Sequence, residues 1–480
     1  MQCDRRQMLQ RITGGIGPLA LATMLSHQNR SLGAPVGESQ GMESAKRFAP
    51  TADRMIFLFQ FGSPSQVDTF DYKPELQRRD GENVPKHYLE DSKLKNILSF
   101  GNEWMASPFG AKQYGQSGVW VSDILPHMAQ HVDDMCIIRS MVSDSNNHAP
   151  ASLLVNTGIV QEGKPSLGSW LTYGLGNINE NLPPYVVLYD VGPYGGPANY
   201  HHGFLPAASA ATLFRTRGEP IRDLRPPAHR ARSQRKVLDL VQKLNHQHQS
   251  QHTLHPELDA RIASYELAYR MQSEALEIGD LADESAATLE AYGMDRPETS
   301  GYGRMCLMAR RLVERGVRVV QLYQGVIDPK EGWDAHQDLK GNHEFNALRT
   351  DRPIGALLSD LKQRGLLETT LVVWCGEFGR TPMVDNGGGR TRKDAGRNHN
   401  NLAFSIWMAG GGVKGGQVLG ATDDFGLFAT EMPSTVHDLH ATLLRAFGLD
   451  ADELYFEHAG RQERLIGVQG GGSVIKGVFA

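Results

Sequence analysis

Five short stretches of the 480-residue chain carry the side chains that can do chemistry. The first, SQVDTFD, holds Asp68 and Asp71, and the second ends in Asp144, Asn146, Asn147 and His148. The third holds Asp328 and then the run Trp333-Asp334-Ala335-His336. The fourth, GEFGRTP, holds Glu377 and Arg380, and the fifth is Arg397-Asn398-His399-Asn400. Carboxylates and imidazoles mixed in this way suit Zn, Mn or Fe better than a thiolate cage or an all-oxygen calcium site. The expected ligands of one or two divalent ions are Asp334, His336, Glu377 and His399, helped by Asp68.

Each assignment has a plainer alternative, which for His399 is a hydrogen-bonded loop residue. Asp334 and His336, two apart, both reach one ion if their loop is bent; otherwise they are a turn-forming Asp and a surface His. Glu377 directly follows an apolar run, where an unpaired carboxylate is costly to bury, so it is either a ligand or the partner of Arg380. The planar fork of Arg380 suits a substrate anion. His148 reads as a metal ligand, a general base, a nucleophile or a helix cap, and Asp71 as a turn residue.

These stretches sit where strands end. MIFLFQF (Met55–Phe61), MCIIR (Met135–Arg139), YVVLY (Tyr185–Tyr189), VRVVQLY (Val317–Tyr323), TLVVWC (Thr370–Cys375) and FSIWM (Phe404–Met408) are short continuous apolar runs, the pattern of strands buried on both faces. Helical periodicity fills the gaps at Ala151–Val155, Arg304–Arg315, Ile354–Arg364 and Val436–Phe447, with Gly316, Gly365 and Gly448 at the left-handed cap positions. Helix, glycine and apolar strand in repetition predict an α/β fold: a mainly parallel sheet with helices on both faces. Ligands of such sheets bind at the carboxyl ends of the strands. Four of the five stretches follow strands, and the His399 stretch precedes one.

From about 205 to 292 the composition turns to Arg, Gln, His, Glu and Ala, which predicts a helical insertion. The histidines at 246, 248, 252 and 255, interleaved with Gln and Ser, read as a solvated linker between helices. Hydrophobic residues make up 40 % and charged ones 21 %, which excludes a disordered or collagen-like chain. A net charge of −5 without a long basic run argues against nucleic acid as a partner. Cys136, Cys306 and Cys375 lie in apolar runs and are expected as buried thiols. The runs Gly387-Gly388-Gly389 and Gly410-Gly411-Gly412 lack the Lys-Ser/Thr of a phosphate loop.

Arg5-Arg6 ahead of a mildly apolar run to Leu25 resembles a bacterial twin-arginine export signal. Residues 1–40 are therefore expected to be signal and tether, and 41–480 a periplasmic or extracellular domain without a membrane span after signal removal.

His148 stands ahead of Pro150, Leu153-Leu154 and Thr157-Gly158, an arrangement that resembles the sulfatase signature with His in the nucleophile position. The strand ending in Glu377-Phe378 resembles the one that in alkaline-phosphatase-like proteins ends in a metal-binding Asp-His pair, and His399 resembles their late metal-binding His. The phrases GSPSQVDTFD, NNHAP, PSLGSW, RRLVERGVR, GEFGRTP and HDLHATLL resemble a bacterial family of exported proteins, the domain-of-unknown-function 1501 family, within the alkaline-phosphatase-like superfamily. That resemblance implies an alkaline-phosphatase-like fold and a metal-dependent hydrolase of small or polymeric phosphate or sulfate esters. A formylglycine sulfatase needs Cys or Ser at 148, so the expected reaction is direct attack by activated water, with His148 as proton acceptor or extra ligand and Arg380 on the anion. The alternative is a degenerate, non-catalytic member that binds anions or glycans.

Overall fold

The runs rich in Val, Ile, Leu, Phe and Trp form the strands of one sheet. In the computed structural model, which describes residues 45–90, 102–189, 192–221, 224, 228–251, 256–324, 332–387, 391–467 and 471–479, nine strands form it. In chain order they are β1 (Arg54–Phe59), β2 (Met135–Val142), β3 (Tyr185–Tyr189), β4 (Thr212–Phe214), β5 (Val319–Tyr323), β6 (Thr370–Cys375), β7 (Phe404–Ala409), β8 (Gln417–Leu419) and β9 (Ser434–Thr435). They lie in the order β8-β2-β7-β6-β1-β5-β3-β4, with β9 beside the end of β2. Every pairing is parallel except those of β7, which runs against both β2 and β6.

Alternate residues of each strand enter two separate cores. Ile56, Leu58, Val320, Leu322, Val372 and Trp374 face one side, where α5 (Pro297–Glu314) and α6 (Leu339–Gln363) cover them. Met55, Phe57, Phe59, Val373 and Cys375 face the other, under α1 (His148–Thr157), α2 (Leu167–Leu175) and α7 (Val436–Ala446). Burying each large apolar side chain contributes about 1.5–3 kcal/mol, so two covered faces hold the sheet rigid. Cys136, Cys306 and Cys375 are buried free thiols.

The register aligns the strand ends. Phe59 of β1 pairs with Tyr323 of β5 and with Cys375 of β6, so three loops leave the sheet at one level. Because β7 is antiparallel, the loop before it also emerges there, and Phe404 lies opposite Met141 near the end of β2. The described parts of all five chemistry-bearing stretches thus open onto one rim.

Several boundaries differ from expectation. The insertion begins later than residue 205, because Thr212–Phe214 joins the sheet edge beside β3. Its core is α3 (Ala228–Gln251) and α4 (Pro256–Gly279), and α4 docks on the first core through Met271, Ala275 and Ile278. Residues 245–248 continue α3 instead of forming a linker. Helix α6 starts well before Ile354 and runs through Pro353. His252, His255, Asp328, Gly388, Gly389 and the expected signal at residues 1–40 lie outside the described residues. Among the described residues no helix is long and apolar enough to cross a membrane.

Candidate metal centre

Each histidine at the rim is held by its Nδ1 nitrogen. His148, the first residue of α1, places Nδ1 2.6 Å from Glu377 Oε1. His336 places Nδ1 2.6 Å from Asp385 Oδ2, and His399 places Nδ1 2.6 Å from the carbonyl oxygen of Asn146. All three partners are acceptors, so each Nδ1 carries the proton and each Nε2 of a neutral ring is a bare lone pair.

Those lone pairs face one another. His336 Nε2 lies 2.9 Å from His399 Nε2, and the two lie 3.3 and 3.4 Å from Asp334 Oδ1. His148 Nε2 is 3.3 Å from Asp334 Oδ2, yet it is buried without an aligned hydrogen bond. Ligand atoms of His148, Asp334 and His399 all fall within 4.8 Å of one another. Acceptors gathered this closely repel unless a proton or a cation lies among them. Imidazoles fixed through Nδ1 by carboxylates or carbonyls are how proteins orient metal-binding histidines.

The electrostatics of these groups differ. Burial works against a carboxylate at Asp334, but the Arg380 guanidinium holds its carboxyl well below the usual range. For His148 burial opposes the charged form, and its contacts with Asp334 and Glu377 outweigh that and raise its pKa, so a proton on Nε2 competes with a cation there. Burial, reinforced by Arg380, pulls His399 down to about 4, so its ring is neutral and able to ligate at pH 7.

Asp334 owes its place to a close backbone approach. Gly62, just after β1, has φ +92°, and a Cβ there would sit 2.5 Å from the Trp333 nitrogen and 2.6 Å from that of Asp334. Trp333 N–H donates to Phe61 O at 2.9 Å, and the Trp333 indole donates to Gln324 Oε1 at 2.8 Å. His399 comes into place because it pairs with Arg380 in a two-residue antiparallel ribbon.

Three expected roles are corrected. Asp68 does not join the centre; both its oxygens face the guanidinium of Arg397, with Nε–Oδ2 at 2.6 Å and Nη2–Oδ1 at 3.1 Å, both side chains fully buried. Glu377 is not in the converging set; its Oε1 accepts from His148 and from Gly62 N–H at 3.0 Å, which orients the ring, and its Oε2 is buried without a partner. It is not the partner of Arg380 either. Arg380 is fully buried and its donors go to Ser63 O, Gly62 O, Arg397 O and Asp334 Oδ1, which makes it a positioning residue for Asp334, not an anion clamp. Asp71 pairs with Lys73 at 3.1 Å and bonds Thr422, as a turn residue would. Asp385 was not anticipated, and nothing in TPMVD marks it, since its partner His336 lies 49 residues away.

The fold and the site together define an α/β protein with His148, Asp334 and His399 gathered, and His336 beside them, at the carboxyl rim of its sheet. The chain belongs to the family described as a protein of unknown function (DUF1501), which it matches over residues 52–479. No curated protein matches it. Among solved structures it is similar to a lipoteichoic acid synthase from Listeria monocytogenes (11 % identity, 86 % of this chain and 76 % of that one, TM-score 0.36). It is also similar to a phosphonate monoester hydrolase from Silicibacter pomeroyi (13 %, 68 % and 69 %, TM-score 0.34) and to a sulfatase from Pseudoalteromonas sp. (11 %, 83 % and 68 %, TM-score 0.36). Likenesses this distant carry no argument about activity, which rests on the site.

Proposed function

We propose that this protein is a metal-dependent hydrolase of phosphate or sulfate esters, exported by a twin-arginine signal. The observation that carries the reading is the meeting of His336 Nε2 and His399 Nε2 at 2.9 Å beside Asp334, each ring already committed through Nδ1. His148, Asp334, His336 and His399 would hold one divalent ion. Such an ion, when bound, polarises an ester oxygen and lowers the pKa of a water molecule to about 7.

The chain's own groups prepare that chemistry. Glu377 keeps the His148 lone pair turned inward, and Arg380 keeps Asp334 ionised. His148 opens α1, so the partial positive charge of that helix end faces the rim and favours an anionic ester. With imidazole in place of a hydroxyl or thiol at position 148, attack by water without a covalent intermediate is the simplest route.

Metal analysis of the purified protein tests this. Stoichiometric Zn, Mn or Fe, lost in both Asp334→Asn and His399→Ala, together with turnover of 4-nitrophenyl phosphate or sulfate, is the expected result. Absence of metal in the native protein overturns it. One feature favours a second reading, a non-catalytic anion- or glycan-binding protein: Arg380, the one cation at the described rim expected to grip an anion, is committed to Asp334 and backbone oxygens. Metal and anion binding without turnover would establish that reading. Export is tested by fractionation, where Arg5→Lys with Arg6→Lys should retain the protein in the cytoplasm.

A further inference from the structure

The aromatic side chains around the centre differ in exposure. Phe61 and Phe378 are buried, at 1 % each, and pack 5.7 and 5.0 Å from the His148 ring. Tyr194 packs there too, 4.5 Å from Phe61 and 5.8 Å from His148 and only 30° from the imidazole plane, yet it is 48 % exposed. Such a ring covers one flank of His148 and shows the rest of its surface to solvent.

The loop beneath it is not free to collapse. The Tyr194 carbonyl accepts from Asn199 Nδ2 at 2.7 Å, and the same amide reaches Gly196 O at 3.1 Å. Asn199 is fully buried, and its Oδ1 accepts from Ser152 Oγ at 2.7 Å and Asn156 Nδ2 at 3.1 Å, both on α1. Asn156 Oδ1 in turn accepts from Gln321 and Tyr323 of β5. Satisfied buried polar networks of this kind rigidify what they join. One unit therefore positions both His148, at the start of α1, and the open ring of Tyr194.

We propose that Tyr194 is the platform of a ring-binding subsite: an anionic ester places its charged group at the metal centre and lays a face of the six-membered ring of its alcohol part on the phenol. This rests on the anion-binding centre described above, in either its hydrolytic or its non-catalytic form. An aromatic face is a preorganised apolar surface with a negative quadrupole, matched by the C–H face of a saturated ring or by a second aromatic ring. The occupant follows from continuity with the centre: Tyr194 lies 5.8 Å from the His148 ring, so the atoms next to a group held among the imidazoles come within reach of the phenol.

Calorimetric titration of the zinc-loaded full chain with methyl-, cyclohexyl- and phenylphosphonate reads affinity without turnover. The native protein should prefer the two ring ligands by roughly tenfold over methylphosphonate, the effect of about one well-placed ring contact. Tyr194→Ala should bring them down to the methylphosphonate level, and Tyr194→Phe should keep the preference. Cyclohexyl binding as tightly as phenyl identifies a saturated ring such as a pyranose; a phenyl preference identifies an aryl ester. The inference is overturned if the native protein shows no ring preference, or if Tyr194→Ala weakens all three ligands by one factor, which a mere prop for His148 would do. Failure to hydrolyse esters would overturn the hydrolase reading and leave the binding result standing.

Discussion

At the scale of single residues, the centre is a conflict of lone pairs created by what lies behind each ring. A carboxylate behind His148 and another behind His336 also raise ligand basicity, beyond turning the ring. Glu377→Gln keeps an acceptor for Nδ1 and for Gly62 N–H but removes the charge, so zinc affinity should fall roughly 10–100-fold, as read by chelator competition. His399 is held by a backbone carbonyl, so Asn146→Ala should leave affinity nearly unchanged. Equal losses in the two variants would mean that the residue behind the ring does not set affinity.

At the scale of elements, the centre depends on level strand ends and on one place where two loops nearly touch. Gly62→Ala would push a methyl into the backbone of Trp333 and Asp334 at a φ of +92°. It should destabilise the fold by more than about 1 kcal/mol and also lower metal content, because Asp334 must move. Gly365→Ala is the control: its φ is +68°, but nothing lies within 4 Å of the added methyl, so it should cost only the left-handed backbone penalty of about 1 kcal/mol and leave the metal intact. Denaturation midpoints and metal analysis of both variants decide the matter, and parallel behaviour would remove the case for close loop approach. The antiparallel β7 matters as much, because reversing one strand brings His399 to the same rim as the loops that follow β1, β2, β5 and β6.

For the whole molecule, buried histidines away from the centre couple folding to pH. Burial pulls His343 down to about 3 and His440 down to about 4. His440 donates from Nε2 to Val155 O at 2.7 Å and leaves Nδ1 bare in the core. In the unfolded chain these rings titrate near 6.5, so their contribution is intact above that pH and is lost as pH falls toward 4, by on the order of 3 kcal/mol for His440. Burial raises Asp351 to about 7; its contribution has the opposite sign, present below about 4 and lost as pH rises through 7. Thermal melts between pH 7 and 4.5 should therefore show a shallower acid loss in His440→Leu than in the native protein, and identical slopes would exclude a neutral buried His440.

The strands were legible because apolar residues in continuous runs have few other ways to leave water, and Tyr185–Tyr189 and Thr370–Cys375 appear within their expected limits. The helix ends marked by Gly316, Gly365 and Gly448 were legible as well, since only a residue without a Cβ turns easily to positive φ. Strand order then implied a rim rich in carboxylates and imidazoles. Which of them meet is a different matter. Asp68 and Asp334 look alike in sequence, but Asp68 faces Arg397 across 329 residues of chain, while Asp334 faces three histidines. Local pattern decides how a segment folds, because its forces act between near neighbours; whether a carboxylate meets a guanidinium or an ion depends on groups that only the packed sheet and its loops bring within a few ångströms.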